Sequence, residues 1–307
     1  MCPEFTIPGR FPMRMTLANP DLSVAIDTLG AELRSVRHDG REYLWQGDPA
    51  YWNRTSPVLF PIVGSLTDKT CTVEGRACTL PQHGLARDLP FALVEQGEDF
   101  LGFELLSSDA TRAHYPFDFT LRIRFTLEGA TLINTWTVSN RGTVEMPFSI
   151  GAHPGFSTQL MSGDAFEDYE IRLDRETALQ LWTLNERGQF LSGTSPFREG
   201  RALETFALDY RDFAVDALVF PDHQLQAVTL RHRGHGHGVR VEFPGFPVVA
   251  LWTGTDGGRK KPPFLCVEPW FGHADTVDGP FELANKPGIV RLPPGEAFTA
   301  AYRMRFF

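Results

Sequence analysis

The stretch Phe119-Thr120-Leu121-Arg122-Ile123-Arg124-Phe125-Thr126-Leu127 alternates apolar and polar side chains and runs into the turn pair Glu128-Gly129. Successive side chains of a β-strand point to opposite faces, so this alternation gives the strand one apolar and one polar face. The turn predicts a hairpin that extends from Phe119 to Asn140 and packs its apolar face on a core. Such hairpins are typical of antiparallel β structure.

The rest of the chain continues this pattern of short extended segments separated by turn sequences such as Asn-Pro-Asp, Asp-Gly and Asn-Arg-Gly. Because no long amphipathic helices intervene, the segments predict an all-β fold, a large antiparallel β-sandwich with few short helices. Short helices are predicted only at Pro49–Asn53 and near Ser162–Glu167, where Asp and Ser offer N-caps. The further predicted strands are Leu22–Asp27, Glu32–Arg37, Tyr43–Trp45, Gly102–Leu106, Val144–Ile150, Ala217–Phe220, Val228–His232, Val239–Phe243, Val248–Thr253, Phe264–Glu268 and Phe298–Phe306.

The composition indicates a globular protein with an uncharged small ligand. The 307 residues include 25 Phe, which predicts a sizeable core or an aromatic-lined cleft. We expect a single domain over residues 15–307, preceded by a flexible tail over residues 1–14. The net charge is −9 and no basic run is longer than Arg259-Lys260-Lys261, so no nucleic-acid or anionic membrane surface is expected.

The sequence contains no recognisable targeting signal, and this predicts a cytoplasmic protein. No apolar stretch approaches the length of a membrane-spanning helix, and the N-terminus lacks the apolar core of a secretory signal. The expected partner is therefore a small molecule, not a membrane. The sequence does not fix the oligomeric state, and a monomer and a homodimer both stay open.

Glu268 lies inside the apolar run Phe264-Leu265-Cys266-Val267-Glu268-Pro269-Trp270-Phe271. A carboxylate in such surroundings loses water, so it needs hydrogen-bond partners or becomes a stronger base than free glutamate. Proton-transferring residues have this character. The alternative is that Glu268 marks the exposed end of a buried strand, which Pro269 terminates.

Two other segments place an ionisable residue beside turn-forming residues in apolar surroundings. They contain His83-Gly84 and His153-Pro154-Gly155. Glycine and proline fix the backbone and allow a ligand to approach closely, as in loops at the rim of a sheet. Two histidines and a glutamate would form an acid–base set if the fold brought them together. The alternative is that each histidine is a core or turn residue that bonds to a backbone carbonyl.

Four motifs together resemble the aldose 1-epimerase (galactose mutarotase-like) family. The resemblance runs in a consistent order from about Met15 to Phe307. It implies the galactose mutarotase-like supersandwich, no metal or organic cofactor, and interconversion of the α and β anomers of a free sugar. The motifs are Tyr51-Trp52-Asn53-Arg54-Thr55-Ser56-Pro57-Val58-Leu59-Phe60-Pro61-Ile62-Val63-Gly64, His83-Gly84-Leu85-Ala86-Arg87-Asp88, His153-Pro154-Gly155-Phe156 and Val267-Glu268-Pro269-Trp270.

The resemblance also implies roles for individual residues. His153 matches the general acid toward the ring oxygen, Glu268 matches the general base on the anomeric hydroxyl, and His83 matches a histidine that binds the sugar. Opening a hemiacetal ring removes a proton from the C1 hydroxyl while another proton reaches the ring oxygen. A carboxylate and a protonated imidazole must therefore flank the same sugar.

One position departs from the family pattern. Members often carry a sugar-contacting arginine where this chain has Ser65. Arg87 and Arg54 are the nearest replacements, and Arg87 is favoured because it shares a loop with His83. The alternative for Arg87 is a structural ion pair with Asp88 or Asp118.

Two further residues are candidates for substrate binding. Asp275 is a candidate sugar ligand because it closely follows Trp270. Trp270 is itself a candidate platform for a sugar face, together with Phe156 and Trp252, although core packing is the favoured interpretation of Trp252.

The segment His232-Arg233-Gly234-His235-Gly236-His237 has the crowded histidines of a metal site. It lies between two predicted strands, as a hairpin loop does, and the glycine and proline spacing of cupin metal sites is missing. The favoured interpretation is a solvated loop outside the cleft, with incidental metal binding as the alternative.

Two other functions stay open. A sugar-phosphate 1-epimerase would need Arg54, Lys69 or Arg87 in the cleft to bind the dianion. A catalytically silent sugar-binding or sensing protein is suggested by Ser65 in place of arginine.

Overall fold

The computed structural model describes residues 13–185, 187–279 and 281–307. These residues contain 25 strands, one α-helix and six 3₁₀ turns. The strands are β1 (Arg14–Ala18), β2 (Leu22–Asp27), β3 (Glu32–His38), β4 (Arg41–Glu42), β5 (Val58–Leu59), β6 (Thr70–Val73), β7 (Arg76–Thr79), β8 (Ala92–Gln96), β9 (Phe100–Leu106), β10 (Phe119–Glu128), β11 (Thr131–Asn140), β12 (Met146–Phe148), β13 (Ile150–Ala152), β14 (Gly155–Ser157), β15 (Tyr169–Ala178), β16 (Gln180–Leu184), β17 (Phe190–Pro196), β18 (Ala202–Ala207), β19 (Leu218–Phe220), β20 (Ala227–His232), β21 (Gly238–Glu242), β22 (Val248–Trp252), β23 (Phe264–Phe271), β24 (Val290–Leu292) and β25 (Ala297–Phe306).

The helical segments are few and short. None of those in the described part of the chain has the length and apolar character needed to cross a membrane. They are α1 (Asp109–Arg112) and the 3₁₀ turns Thr67–Lys69, Ala86–Asp88, Phe166–Asp168, Phe197–Gly200, Tyr210–Phe213 and Leu283–Asn285.

Two large antiparallel sheets organise the molecule. The nine-stranded sheet has the order β18-β15-β20-β21-β25-β11-β10-β9-β8, and the other has the order β17-β16-β19-β22-β23-β13-β5, with β14 also paired to β23. The predicted hairpin forms the centre of the first sheet, with Phe119 opposite Asn140 and a two-residue turn after Glu128. The predicted all-β antiparallel sandwich is therefore confirmed.

Strand β23 shows how the second sheet separates the core from a second apolar layer. Leu265 and Val267 join the main hydrophobic cluster, which also contains Val241 and Met304 of the nine-stranded sheet. Trp270 belongs instead to a separate cluster on the other face. Since side chains alternate along a strand, Glu268 lies on the same face as Trp270, away from the main core.

Several local predictions were wrong. Residues Tyr43–Trp45 form no strand, because the Tyr43 N–H donates to Val36 O and the Trp45 N–H donates to Gly155 O, in two different neighbours. Pro49–Asn53 is not helical, since only one turn closes on Asp48 O. The helix predicted near Ser162–Glu167 is reduced to a 3₁₀ turn that begins at Phe166.

Other boundaries shifted. The strand predicted over Val144–Ile150 is divided between β12 and β13, which pair with different partners. Arg14, assigned to the predicted tail over residues 1–14, begins β1 and pairs with Asp27. Met13 of that tail also bonds to Thr28, through its N–H and its backbone oxygen, and residues 1–12 lie outside the described residues.

Candidate active site

Strand register brings His153 and Glu268 together. Gly151 of β13 pairs with Trp270, and Gly155 of β14 pairs with Cys266, so the bend between these two short strands lies opposite Glu268. His153 occupies that bend. Its Nε2 lies 3.2 Å from Glu268 Oε2, and both side chains are at least nine-tenths buried.

The pair lines a cavity of about 280 Å³ on the outer face of the second sheet. This volume is near the lower end of the roughly 300–1,000 Å³ typical of small-molecule sites, and it suits a ligand the size of one monosaccharide. Of the residues predicted from sequence, His83, Arg87, His153, Glu268 and Trp270 line this cavity.

Burial shifts the two members of the pair in opposite directions. Desolvation raises the pKa of Glu268 well above its ordinary value, and the nearby charge of Asp216 adds to the shift. Desolvation lowers the pKa of His153 to about 3, with further lowering from Arg87 and Arg54. A raised carboxyl pKa makes the carboxylate a stronger base, and a lowered imidazolium pKa makes that group a stronger acid.

His83 is held by a strained loop beside β5. Its φ is +64°, and Gly84 follows with φ +75°. At Gly84 a Cβ would lie 2.3 Å from Phe60 O, so the position requires glycine. The Gly64 N–H donates to His83 Nδ1 at 3.1 Å, and the His83 N–H donates to Gly64 O at 2.8 Å.

The protonation of His83 follows from its burial and from its two hydrogen bonds with Gly64. Burial lowers its pKa well below 6.5, so the ring is neutral near pH 7. A neutral imidazole that accepts at Nδ1 carries its hydrogen on Nε2. His83 therefore has an N–H donor at Nε2, which suits a hydroxyl oxygen of a ligand.

Arg87 both lines the cavity and contacts its own loop. Its Nη2 donates to Gln82 O at 2.6 Å, and its Nε lies 3.7 Å from Asp88 Oδ2. Burial lowers its pKa to about 10, so the guanidinium stays charged at neutral pH. The ion pair with Asp88 exists, whereas Asp118 pairs with Arg112 instead.

Aromatic rings surround His153 and Glu268. Trp52 stacks on the His153 ring at 4.8 Å between centroids, and Trp252 meets it edge-on at 5.5 Å. Both tryptophans line the cavity, so Trp252 is more than the core residue the sequence suggested, while Phe156 is buried away from it. A Cβ at Gly151 would lie 2.6 Å from Trp270 Cδ1, so glycine at this position lets the Trp270 ring pack directly against the sheet.

Sequence reasoning missed Asp216. It lines the cavity two residues before β19, the strand next to β22. Burial raises its pKa, while hydrogen bonds from the Ala217 N–H and from Trp252 oppose that shift. Its neighbours Val215 and Ala217 gave no signal in the sequence, because the residue reaches the cleft only through strand order.

Asp275 does not line the cavity. It is fully buried behind Ala274, where its Oδ1 lies 3.3 Å from Lys286 Nζ and its Oδ2 accepts the Thr67 N–H at 2.8 Å. Ser65 does line the cavity, at the position where the family often has arginine. The structure therefore gives Asp275 no direct contact with a sugar in this cleft.

Two groups of described side chains have the composition of a metal site, with ligand atoms within 4.8 Å of one another. The first consists of His153, Cys266 and Glu268, and the second of Asp164, His232 and His235. The second lies at the β20–β21 hairpin, outside the cleft, as the sequence predicts for this loop.

Hydrogen bonding disfavours a metal at the hairpin. His232 Nδ1 accepts the N–H groups of Gly234 and His235, and His235 Nδ1 accepts the His237 N–H. Neutral rings bonded in this way carry hydrogen on Nε2, the atom that faces Asp164. His235 Nε2 bonds to the Asp164 carboxylate at 3.2 Å, and neither ring in this arrangement has a free lone pair for a cation.

Glu268→Gln should make the fold more sensitive to acid. His153 binds a proton more weakly folded than unfolded, so its contribution to stability is full above pH 6.5 and is lost as the pH falls toward 3. The pKa of Glu268 is raised in the folded state, so this group stabilises the fold below pH 4.5 and loses that contribution as the pH rises. Above pH 4.5 its effect on the free energy of unfolding therefore opposes that of His153. Without the carboxyl group, the free energy of unfolding should fall more steeply between pH 6.5 and 4.5, by about 1.4 kcal/mol per pH unit.

Urea unfolding at several pH values checks this expectation. Glu242→Gln, at a partly exposed carboxylate of β21, is the control and should leave the slope of the wild type unchanged. Equal slopes in Glu268→Gln and the wild type would contradict the opposed titration of the pair.

Comparisons with known proteins agree with the geometry. The family model described as aldose 1-epimerase matches residues 13–283. Protein LacX of Lactococcus lactis subsp. lactis is 33% identical over 94% of this chain and 98% of its own length.

Two solved structures share the fold. A galactose mutarotase related enzyme from Lactobacillus acidophilus has a TM-score of 0.88 and 30% identity, covering 96% of this chain and 97% of its own. A galactose mutarotase-like protein from Lactobacillus casei has a TM-score of 0.90 and 26% identity, covering 96% of this chain and 100% of its own. With four motifs in order and the same sandwich, the chain belongs to the aldose 1-epimerase family.

Proposed function

We propose that this protein is a cofactor-independent mutarotase that interconverts the α and β anomers of a free hexose or related aldose. The observation that carries the proposal is the 3.2 Å contact between His153 Nε2 and Glu268 Oε2 inside a sugar-sized cavity. Ring opening needs one group that removes a proton and one that supplies it, and this pair provides both.

In the ring-opening direction, the Glu268 carboxylate takes the proton of the C1 hydroxyl. The imidazolium of His153 gives its proton to the ring oxygen, and the C1–O5 bond breaks to leave an open-chain aldehyde. The pair has then become a protonated Glu268 and a neutral His153. Rotation about the C1–C2 bond and reclosure, with the roles reversed, give the other anomer.

The protonation state that burial favours in the resting protein is the one in which ring opening leaves the pair. Burial favours the uncharged forms of both groups, a protonated Glu268 and a neutral His153. Opening the ring starts from the charge-separated form with the same single proton moved to His153. The whole cycle therefore needs only transfers within the pair and the sugar, and no proton from solvent.

The other polar groups of the cleft are suited to hold the sugar hydroxyls. His83 supplies an N–H donor, Asp216 a carboxylate acceptor and Arg87 a charged donor, and all three line the cavity. The apolar C–H face of a pyranose fits the rings of Trp52 and Trp252.

A sugar phosphate is the less favoured substrate. Of Arg54, Lys69 and Arg87, only Arg87 lines the described part of the cavity. Glu268 and Asp216 lie in the same cavity, and their mutual repulsion contributes to the raised pKa of Glu268. Such a site disfavours a phosphate dianion, which needs several donors and a positive potential.

Phosphate competition should therefore be weak. Inorganic phosphate at about 1 mM should not slow turnover of galactose, because half-inhibition at this concentration needs a Kd near 1 mM, a binding free energy of about −4 kcal/mol. The measurement is polarimetry with phosphate or with a matched concentration of sulfate. Selective inhibition by phosphate that Arg87→Met abolishes would favour the sugar-phosphate epimerase instead.

The experiment that tests the proposal is polarimetry on freshly dissolved α-glucose and α-galactose. The wild-type protein should speed the approach to anomeric equilibrium for at least one of these sugars. A silent sugar-binding protein, suggested by Ser65, would show saturable binding in calorimetry without this acceleration.

A further inference from the structure

Three separate segments form one wall of the cleft. They are residues 64–65, residues 188–190 and Ala274, here called the loop wall, and all of these residues except Gln189 line the cavity. Except for Phe190, at the start of β17, they lie outside regular strands. A fixed cleft shape therefore requires bonds that tie the three segments to one another.

Asp275 supplies those bonds. Its backbone N–H donates to Ser65 O at 2.9 Å, and its backbone oxygen accepts the Phe190 N–H at 2.9 Å. Its side-chain Oδ2 accepts the Thr67 N–H at 2.8 Å. One residue thus connects all three parts of the loop wall.

Lys286 contacts Asp275 and the two residues that precede it. Its Nζ donates to the backbone oxygens of His273 at 2.7 Å and Ala274 at 3.0 Å, and it lies 3.3 Å from Asp275 Oδ1. Both side chains of the ion pair are only 1% exposed.

A buried ion pair of this kind is poor evidence for stability. Desolvation offsets most of its Coulombic attraction, and apolar residues of similar volume are often as stable. Its bonds to two adjacent carbonyls and to Asp275 do, however, fix where Ala274 lies and how the wall meets a ligand.

We propose that Asp275 and Lys286 are positioning residues that fix the loop wall and thereby set the affinity of the cleft for sugar. The inference rests on the proposed function only in naming sugar as the ligand. Neither residue lines the cavity, so each acts through Ser65, Phe190 and Ala274. Glu268 and His153 are held separately, by the register of β23 with β13 and β14.

Lys286→Met and the double variant Asp275→Asn/Lys286→Met test this proposal. The single variant removes the three interactions of Nζ and leaves Asp275 as an uncompensated buried charge, so it should lose both stability and affinity. The double variant removes both charges while an Asn oxygen can still accept the Thr67 N–H. It should be more stable than the single variant but bind galactose or glucose about 10-fold more weakly than the wild type, which corresponds to about 1.4 kcal/mol.

Kinetics separate positioning from general damage. In both variants KM should rise about 10-fold while kcat stays within about threefold, because the proton-transferring pair is untouched. The matched control is Tyr115→Phe, which removes a buried hydrogen bond to Pro147 O at 2.9 Å, outside the cavity. It should lower stability without changing KM.

Hydrogen exchange gives a readout that needs neither turnover nor a known sugar. The amides of Thr67, Phe190 and Asp275 should exchange faster in the double variant than in the wild type or Tyr115→Phe. Wild-type exchange at these amides, or wild-type Kd in a folded double variant, would overturn the positioning role. If the double variant does not fold, Asp275→Asn alone takes the same measurements. Absent turnover in the wild type would count against the epimerase proposal and leave the exchange result to decide the positioning role.

Discussion

Glu268→Gln is expected to lower kcat for anomer exchange by roughly 10²–10⁴-fold, the range typical of one positioned acid–base group. The amide has the shape of the protonated carboxyl group that burial favours in the resting protein, so the cleft should keep its form. It cannot accept the proton of the C1 hydroxyl. Polarimetry on α-galactose or α-glucose measures the rate.

Sugar binding is the control for this variant. Calorimetry should give a Kd within a few-fold of the wild type, because Glu268 acts mainly in the proton-transfer step. The variant should be at least as stable as the wild type at pH 7 and above, where an ionised Glu268 would be a buried charge. A variant that retains full turnover would remove Glu268 from the mechanism.

His153→Asn is expected to lower kcat by a similar factor, roughly 10²–10⁴-fold. Asparagine keeps a polar group beside Glu268 and beneath Trp52, but it cannot supply or accept a proton at the ring oxygen. The same polarimetric measurement applies. His235→Asn, in the hairpin on the other sheet, is the matched histidine control and should turn over at the wild-type rate.

The two losses should not add. Because the pair exchanges one proton as a unit, the variant lacking both groups should be little slower than either single variant. Rates that multiply would show that the two residues act in independent steps. A His153→Asn variant with wild-type kcat would instead assign the acid to another residue, with His83 the nearest candidate.

The sandwich was predictable because its central strands follow simple patterns. In β10 the apolar side chains alternate strictly, so the hairpin from Phe119 to Asn140 was predicted closely. The edge strands β17 and β18 were missed because most of their residues are exposed on both faces, so they show no clear period. Tyr43–Trp45 has the composition of a strand, but its backbone bonds go to two partners.

The candidate site was predictable only in part. His83, His153 and Glu268 stand out because each is an ionisable residue in an apolar or turn-rich segment, and the structure places all three in one cavity. Asp216 has ordinary neighbours, and strand order alone puts it beside Glu268. Asp275 misled for the converse reason, since closeness to Trp270 in sequence did not put its side chain on the cleft face.

The alternation along β23 makes catalysis sensitive to the length of this strand. Val267 faces the main core and Glu268 faces the cleft, so inserting one residue upstream of them, within β23, would exchange their two environments. An apolar side chain would then replace the carboxylate in the cleft, and the carboxylate would enter the apolar core. Inserting two residues would return the carboxylate to the cleft face but move it about 7 Å along the strand, out of contact with His153, so insertions of either length here should abolish turnover.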